Sequence, residues 1–427
     1  MGAIRERAER CWSGGVEPRE FWKPTGATEE IAPGVFFIHA FANVTVVRAG
    51  AGLVLVDTAN YVARDRTFAS VRAVDPGPIH AAIYTHGHAD HAFGLPPFLA
   101  EAAEKGRPRP QIIGHRSVAA RFDRYRATAG YNGLINARQF SIAASWPQEY
   151  DYPDTVYDQA LRLETEGLAL ELQHARGETD DATWVWWPDR RILWTGDLFI
   201  WVAPNAGNPQ KAQRYAAEWA AALREMAARG PELLIPGHGM PIFGAERARQ
   251  ALTDTAEWLE ALVGQTLALM NAGAALEDVL REVRPPAHLA ERQYLQPVYD
   301  EPDYVVRNLW RLYGGWYDGV PSHLKPAPVA ELGREVMALA GGIDGLTARA
   351  RALAAEGRLA LAAHLIDWAV SAEPDHPAAH AARAQIYERR AEEARALMTR
   401  GIFFAAARES AARGQVLHSN IRSAEQT

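Results

Sequence analysis

Between residues 85 and 91 the chain reads Thr85-His86-Gly87-His88-Ala89-Asp90-His91, three imidazoles and a carboxylate within six positions. Such density is hard to explain as packing. Neutral imidazole and carboxylate are both zinc ligands. A tight loop can aim alternate residues at two neighbouring metal positions, His86 and His88 at one, Asp90 and His91 at the other. Two ions roughly 3.5–4 Å apart can share a hydroxide, a nucleophile available at neutral pH. The bland alternative is a solvent-facing histidine loop. Two further pieces follow in chain order: Gly196-Asp197 after the apolar run 191–195, and Pro236-Gly237-His238-Gly239 after another at 233–235. Alone, the first reads as a turn former and the second as a loop with a bystander histidine. In order behind the first cluster, they read as further ligands.

These residues lie at the ends of runs that read as strands. Residues 34–58 read as two β-rich apolar runs separated by a Gly-containing turn. Residues 81–85 form a short run feeding the histidine loop. Residues 111–114, 168–173, 183–187 and 191–195 repeat the pattern, punctuated by Gly, Pro or Asp. Helical spacing covers 212–228. After Ala245 the texture changes: strand signals vanish, and Ala-, Leu-, Glu- and Arg-rich helical stretches such as 247–272 follow one another. A domain boundary is therefore expected between 245 and 246, giving units 1–245 and 246–427. Within the second, residues 342–390 carry small residues at helical spacing around Gly357 and Pro374, like one tetratricopeptide unit, with an ordinary helical hairpin as the alternative. Residues 410–427 are polar and expected to fray.

Composition narrows the function. A length of 427 residues suits two or three domains, and 48% hydrophobic with 23% charged residues excludes long-range disorder. The formal charge of −7, without runs of like charge, argues against a general grip on nucleic acid. No stretch approaches the ~18 apolar residues of a membrane span, and the N-terminus lacks the apolar core of a secretory signal. A soluble, cytoplasmic protein with no membrane or nucleic-acid partner is expected. Cys11 is the only cysteine, so neither an intrachain disulfide nor a Cys-rich zinc knuckle can form.

His-Gly-His-Ala-Asp-His at 86–91, Gly-Glu-Thr at 177–179, Thr-Gly-Asp at 195–197 and Pro-Gly-His-Gly at 236–239 together resemble the metallo-β-lactamase superfamily, over roughly residues 30–245. Most members have a histidine where this chain has Glu178. The alkyl sulfatase-like branch has a glutamate there and a second carboxylate nineteen positions on, usually Glu, here Asp197. Residues 288–319, and the chain on to about 400, are similar to the dimerisation domain of alkyl sulfatases. Full-length alkyl sulfatases carry a further sterol-carrier-like domain, which these 427 residues do not contain.

The resemblance implies an α/β fold, the metallo-β-lactamase αββα sandwich, followed by an all-α dimerisation domain, and hence a homodimer. It also implies two Zn²⁺ per subunit, with manganese or iron as alternatives. His86, His88 and Glu178 would hold the first metal, and Asp90, His91 and His238 the second. Asp197 would bridge them; Asp90 and Asp197 are the catalytic carboxylates. Three carboxylates and a hydroxide leave the loaded site near neutral, where an all-histidine version would be positive. A sulfate-ester hydrolase should then bring cations separately, since guanidinium matches sulfuryl oxygens with paired donors. The candidates are Arg176, Lys211 and Arg214. For the apolar tail of a small anionic ester, Phe199 and Trp201 leave the metal-bearing strand end; Trp184, Trp186 and Trp187 read as core. Tyr131 and Asn132, in a Gly-rich loop, are candidate sulfate contacts, and His174 is a candidate acid or a structural histidine. Three readings follow: a dizinc hydrolase of alkyl sulfate esters; a hydrolase of another small ester such as a lactone, thioester or β-lactam; or a helical scaffold with a vestigial metal site.

Overall fold

Apolar runs that are buried on both faces build the centre of this chain. The computed structural model describes residues 2–21 and 23–424, with side chains as far as residue 413. Seven strands form one sheet in chain order: β1 (Thr28–Ala32), β2 (Val35–Ile38), β3 (Val44–Ala49), β4 (Gly52–Val56), β5 (Ile79–Ile83), β6 (Gln111–His115) and β7 (Thr155–Tyr157). β1 to β4 pair antiparallel and β4 to β7 parallel. A second sheet contains β8 (Ala160–Thr165), β9 (Leu168–Ala175), β10 (Ala182–Trp187), β11 (Ile192–Ile200), β12 (Leu233–His238) and β13 (Ile242–Phe243), running from β13 back to β8. Within it β11 and β12 are parallel and the other pairs antiparallel.

The run read as two strands over 34–58 is three. Residues 39–43 break it between β2 and β3, and Gly50, at φ +53°, turns β3 into β4. In β4, Val54 and Val56 face the second sheet, where they join a core with Trp184, Trp194 and Leu198. Leu53 and Leu55 face the other way and pack with Val71, Phe98 and Phe122 of the helices covering the first sheet. Helices Ala216–Ala228 and Ala245–Asn271 add Trp219, Leu223, Leu252 and Leu259 to the core of the second sheet. The result is the αββα sandwich. Burying each such large side chain contributes about 1.5–3 kcal/mol, which is why β4 reads as an unbroken apolar run. Both sheets contain a parallel pair, β4 with β5 and β11 with β12. The carboxyl ends of such strands are where side chains can leave the core without breaking the ladder.

The chain divides into two compact units, residues 1–132 with 146–313, and residues 133–145 with 314–427. The change of texture at 245/246 falls inside the first. The second unit is all α. Helices Val329–Leu339, Ile343–Ala355, Leu359–Ala372, Pro377–Glu393 and Leu397–Ala424 enclose a core that includes Leu346, Leu353, Ile366, Ile386 and Ala407. Gly357, at φ +78°, turns between two of them, and His376 caps Pro377–Glu393 by accepting the Ala379 N–H. The tetratricopeptide-like stretch is thus three successive helices. The fraying expected over 410–427 lies largely outside the residues whose side chains are described. Among the described residues no helix is long and apolar enough to cross a membrane.

Candidate metal centre

At the end of β4, Asp57 adopts φ +60°, a left-handed conformation that Asp tolerates. Its carboxylate is thereby turned toward the segment leaving β5. Oδ1 accepts the Thr85 N–H at 2.8 Å, and Oδ2 accepts the Thr85 hydroxyl at 2.8 Å and lies 2.7 Å from His91 Nδ1. Having donated to Asp57, the Thr85 hydroxyl oxygen is an acceptor for His86 Nδ1, 3.1 Å away. The His91 carbonyl accepts both the backbone N–H (2.7 Å) and the hydroxyl (2.9 Å) of Thr58. His88 starts the short helix Ala89–Ala92, which carries Asp90 and His91. From the second sheet, Asp197 projects out of β11 and His238 ends β12. A Cβ on Gly237 would sit 2.0 Å from Asp197 Oδ1, so only glycine lets β12 approach so closely.

Seven donors converge in two sets: His86, His88, Glu178 and Asp197, and Asp90, His91 and His238; within each, the ligand atoms lie within 4.8 Å of one another. Asp197 touches both sets. Its Oδ2 is 3.6 Å from His86 Nε2 and 3.4 Å from His238 Nε2, and its Oδ1 is 3.4 Å from His91 Nε2. His238 Nε2 is 3.5 Å from Asp90 Oδ2, and His86 Nε2 is 2.9 Å from His88 Nδ1.

The residues fit a pair of cations on two counts. His86, His91 and His238 each spend Nδ1 on a protein partner, respectively Thr85 Oγ1, Asp57 Oδ2 and the Phe41 carbonyl, which leaves Nε2 facing inward. Asp197 Oδ1 is buried with no hydrogen-bond partner, a state a carboxylate oxygen rarely keeps without a ligand.

Charge tells the same story. Burial and the neighbouring His91 depress His86 to about 4, and burial and His86 hold His88 well below the usual imidazole value. At His91 burial opposes protonation, but Asp197, Asp57 and Asp90 outweigh it and hold the pKa well above the usual value; Asp197 and Asp90 do the same, less strongly, for His238. Burial raises Glu178 to about 8, with Arg214 pulling it back and Asp197 pushing it up. Without a cation His86 and His88 therefore stay neutral, while His91, His238 and Glu178 hold protons that metal binding must displace.

Residues 39–238 match the family profile described as the metallo-beta-lactamase superfamily, a span that contains all seven donors. Residues 39–238 are a metallo-β-lactamase superfamily domain. Residues 275–413 also match the profile of the alkyl sulfatase dimerisation domain. A linear primary-alkylsulfatase from Pseudomonas sp. is 27% identical over 365 residues, 81% of this chain and 69% of that protein. An (R)-specific secondary-alkylsulfatase from Pseudomonas sp. is 26% identical over 410 residues, 89% of this chain and 62% of the relative. The solved structure of the stereoselective inverting sec-alkylsulfatase Pisa1 from Pseudomonas sp. shares the fold, with a TM-score of 0.79 at 23% identity, covering 90% of this chain and 65% of that one. The chain thus spans about two thirds of the relatives it matches.

The substrate candidates fare differently from the ligands. Phe199 and Trp201 are fully buried in the core of this metallo-β-lactamase fold rather than lining a pocket. Trp201 packs edge-on against Phe21 and Trp12 and donates its ring N–H to the Met240 carbonyl at 2.6 Å. The strand continues to Ile200, but its pairing with β12 is irregular between Gly196 and Ile200, so the chain beyond Asp197 does not keep the face that strict alternation would give it. Arg214 is buried against Glu178, with Nη1 3.0 Å from Oε1 and also donating to the Glu178 carbonyl, so it braces a ligand. Asn205 donates to Glu178 Oε1 as well. Arg176 stacks over Tyr215 at 3.7 Å and pairs with Glu218 at 3.6 Å. Lys211 is half-buried; burial and the Arg214 charge lower its pKa to about 8, while Asp90 and Glu178 act in the opposite sense. Tyr131 and Asn132 lie on helix Ala129–Phe140, not in a loop. Tyr131 is exposed and Asn132 is buried, its amide donating to Thr128 Oγ1 at 2.9 Å. His174 stacks on His115 with centroids 3.6 Å apart, its Nδ1 at 3.0 Å from the Ala182 carbonyl, a structural arrangement. Trp184, Trp186 and Trp187 are buried core residues.

Several residues of the site were not singled out from sequence. Asp57 closes the run Val54-Leu55-Val56-Asp57-Thr58, where a carboxylate ending a wholly apolar strand was the available signal. Tyr299 had none. It packs with Ile200, Val202 and Val298, and its hydroxyl pKa is raised by burial first and then by Glu178 and Asp90.

Proposed function

We propose that this chain is a binuclear zinc hydrolase that cleaves alkyl sulfate esters and works as a homodimer. The observation that carries the reading is the convergence of four imidazoles and two further carboxylates around Asp197, in a chain whose second half matches an alkyl sulfatase dimerisation domain. Imidazole and carboxylate without thiolate suit zinc, with manganese or iron as the oxygen-tolerant alternatives.

His86, His88 and Glu178 would hold one ion and Asp90, His91 and His238 the other, with Asp197 lying against donors of both sets. When bound, such a pair lowers the pKa of a water it holds to about 7 and polarises the ester oxygens. The chain's own residues supply the geometry: Asp57, Thr85 and the Phe41 carbonyl set the ring orientations, and Arg214 with Asn205 fixes Glu178. Of the three cations expected to meet sulfate, Arg176 pairs with Glu218 and Arg214 with Glu178; Lys211, close enough to the cluster for Asp90 and Glu178 to act on its charge, is the candidate for that role. The deciding measurement is sulfate release from medium-chain primary and secondary alkyl sulfates. Activity in zinc-loaded protein that is lost both on chelation and in Glu178→Ala supports the reading. Two bound metals with no sulfate released would move the substrate to lactones and thioesters.

A further inference from the structure

The interruption between β2 and β3 has one destination. The Asn43 backbone N–H donates to the Gly237 carbonyl at 2.7 Å, and its side-chain Nδ2 donates to the carbonyls of Pro236 at 3.0 Å and Gly239 at 2.8 Å. Two residues earlier, the Phe41 carbonyl meets His238 Nδ1. The turn that carries His238 is therefore gripped on both sides of the histidine by a residue 4% exposed. Asn43 Oδ1 makes no hydrogen bond, so the amide is oriented by its two donated bonds.

The turn needs an external brace. Gly237 must be glycine to clear Asp197, and Gly239 has φ +84°, with a Cβ there falling 2.4 Å from Trp201. Two glycines flanking a ligand give close approach at the expense of backbone stiffness. Among short side chains only a carboxamide nitrogen offers two donors without a charge. Aspartate has none, serine and threonine have one, and lysine or arginine would place a cation beside the metal site.

We propose that Asn43 is a positioning residue: its carboxamide clamps the Pro236–Gly239 turn so that His238 Nε2 already faces the second cation position before any cation arrives. This rests on reading the seven donors as a two-metal site. Asn43→Leu keeps approximate size and removes both side-chain donors; Asn43→Ala removes the side chain. Zinc titration against a competing chelator is expected to show the second ion weakened 10- to 100-fold with the first unchanged, and one ion per chain left after dialysis. Both ions held with wild-type affinity in either folded variant would overturn the proposal. Wild-type protein that binds no ion pair, or binding indifferent to His86→Ala and His238→Ala, would instead sink the two-metal reading itself. Should the variants not fold, hydrogen exchange on the wild type decides. The clamp requires peptides covering 41–47 and 236–241 to be equally protected with and without zinc, whereas protection gained only with zinc would overturn it.

Discussion

Asp57→Asn tests whether the outer hydrogen bonds, rather than the ligands alone, build the centre. Asparagine has the size of aspartate and tolerates φ +60°, so the backbone is kept. What changes is acceptor count. Asp57 receives three donors, the Thr85 N–H, the Thr85 hydroxyl and His91 Nδ1–H, and an amide has one oxygen. With that oxygen toward His91, the NH₂ faces the Thr85 N–H. With it toward Thr85 N–H, the NH₂ faces His91 Nδ1, which favours the tautomer with its proton on Nε2, directed at the cation position. Either orientation leaves a buried donor unpaired at about 1–3 kcal/mol, or roughly 5- to 150-fold in an equilibrium constant. Metal affinity, read by chelator competition on folded protein, should fall by that factor, chiefly for the ion held by His91. Affinities within twofold of wild type for both ions would refute the reasoning.

Arg214→Met removes the guanidinium donors that hold the buried Glu178 carboxyl and carbonyl; stability should fall by about 1–3 kcal/mol in denaturant titration, and an unchanged midpoint would count against the brace. Trp201→Ala should cost about 3–5 kcal/mol as a core cavity while leaving the dependence of KM on alkyl-chain length unchanged; a selective rise in KM for longer chains would return Trp201 to the pocket. Asp300 accepts the N–H groups of Gly207, Asn208 and Glu301, yet burial raises its pKa from 3.8 to about 6. The fold therefore holds this proton more tightly than the unfolded chain, so its contribution is full below 3.8 and is lost as pH rises through 6. The stability difference between wild type and Asp300→Asn should shift by on the order of 3 kcal/mol from pH 3.5 to 7, and a flat difference would refute the burial argument.

Which residue types reach the site was legible in the chain itself, because metal chemistry leaves few substitutes. Three histidines and an aspartate crowd six positions, and Asp197 and His238 each follow an apolar run that can only be a buried strand. Glu178 stood out only through its place in a family pattern. The layered α/β fold was legible for a related reason: runs such as 52–56 are apolar throughout because both faces of the strand are covered.

Tertiary structure decided the rest. Nothing local distinguishes an arginine that meets substrate from one that braces a ligand. Arg214 lies 36 positions from Glu178, and only the packing of helix Ala216–Ala228 against β9 and β11 sets them side by side. Phe199 and Trp201 follow a metal-bearing carboxylate in sequence, yet β11 runs on past Asp197 and returns them to the core. Asn43 stands at the head of an ordinary strand, and its amide acquires a purpose only when β12, 193 positions away, ends beneath it. Ligand identity is a property of side-chain chemistry and is written residue by residue; partnership is a property of distance, and folding alone determines it.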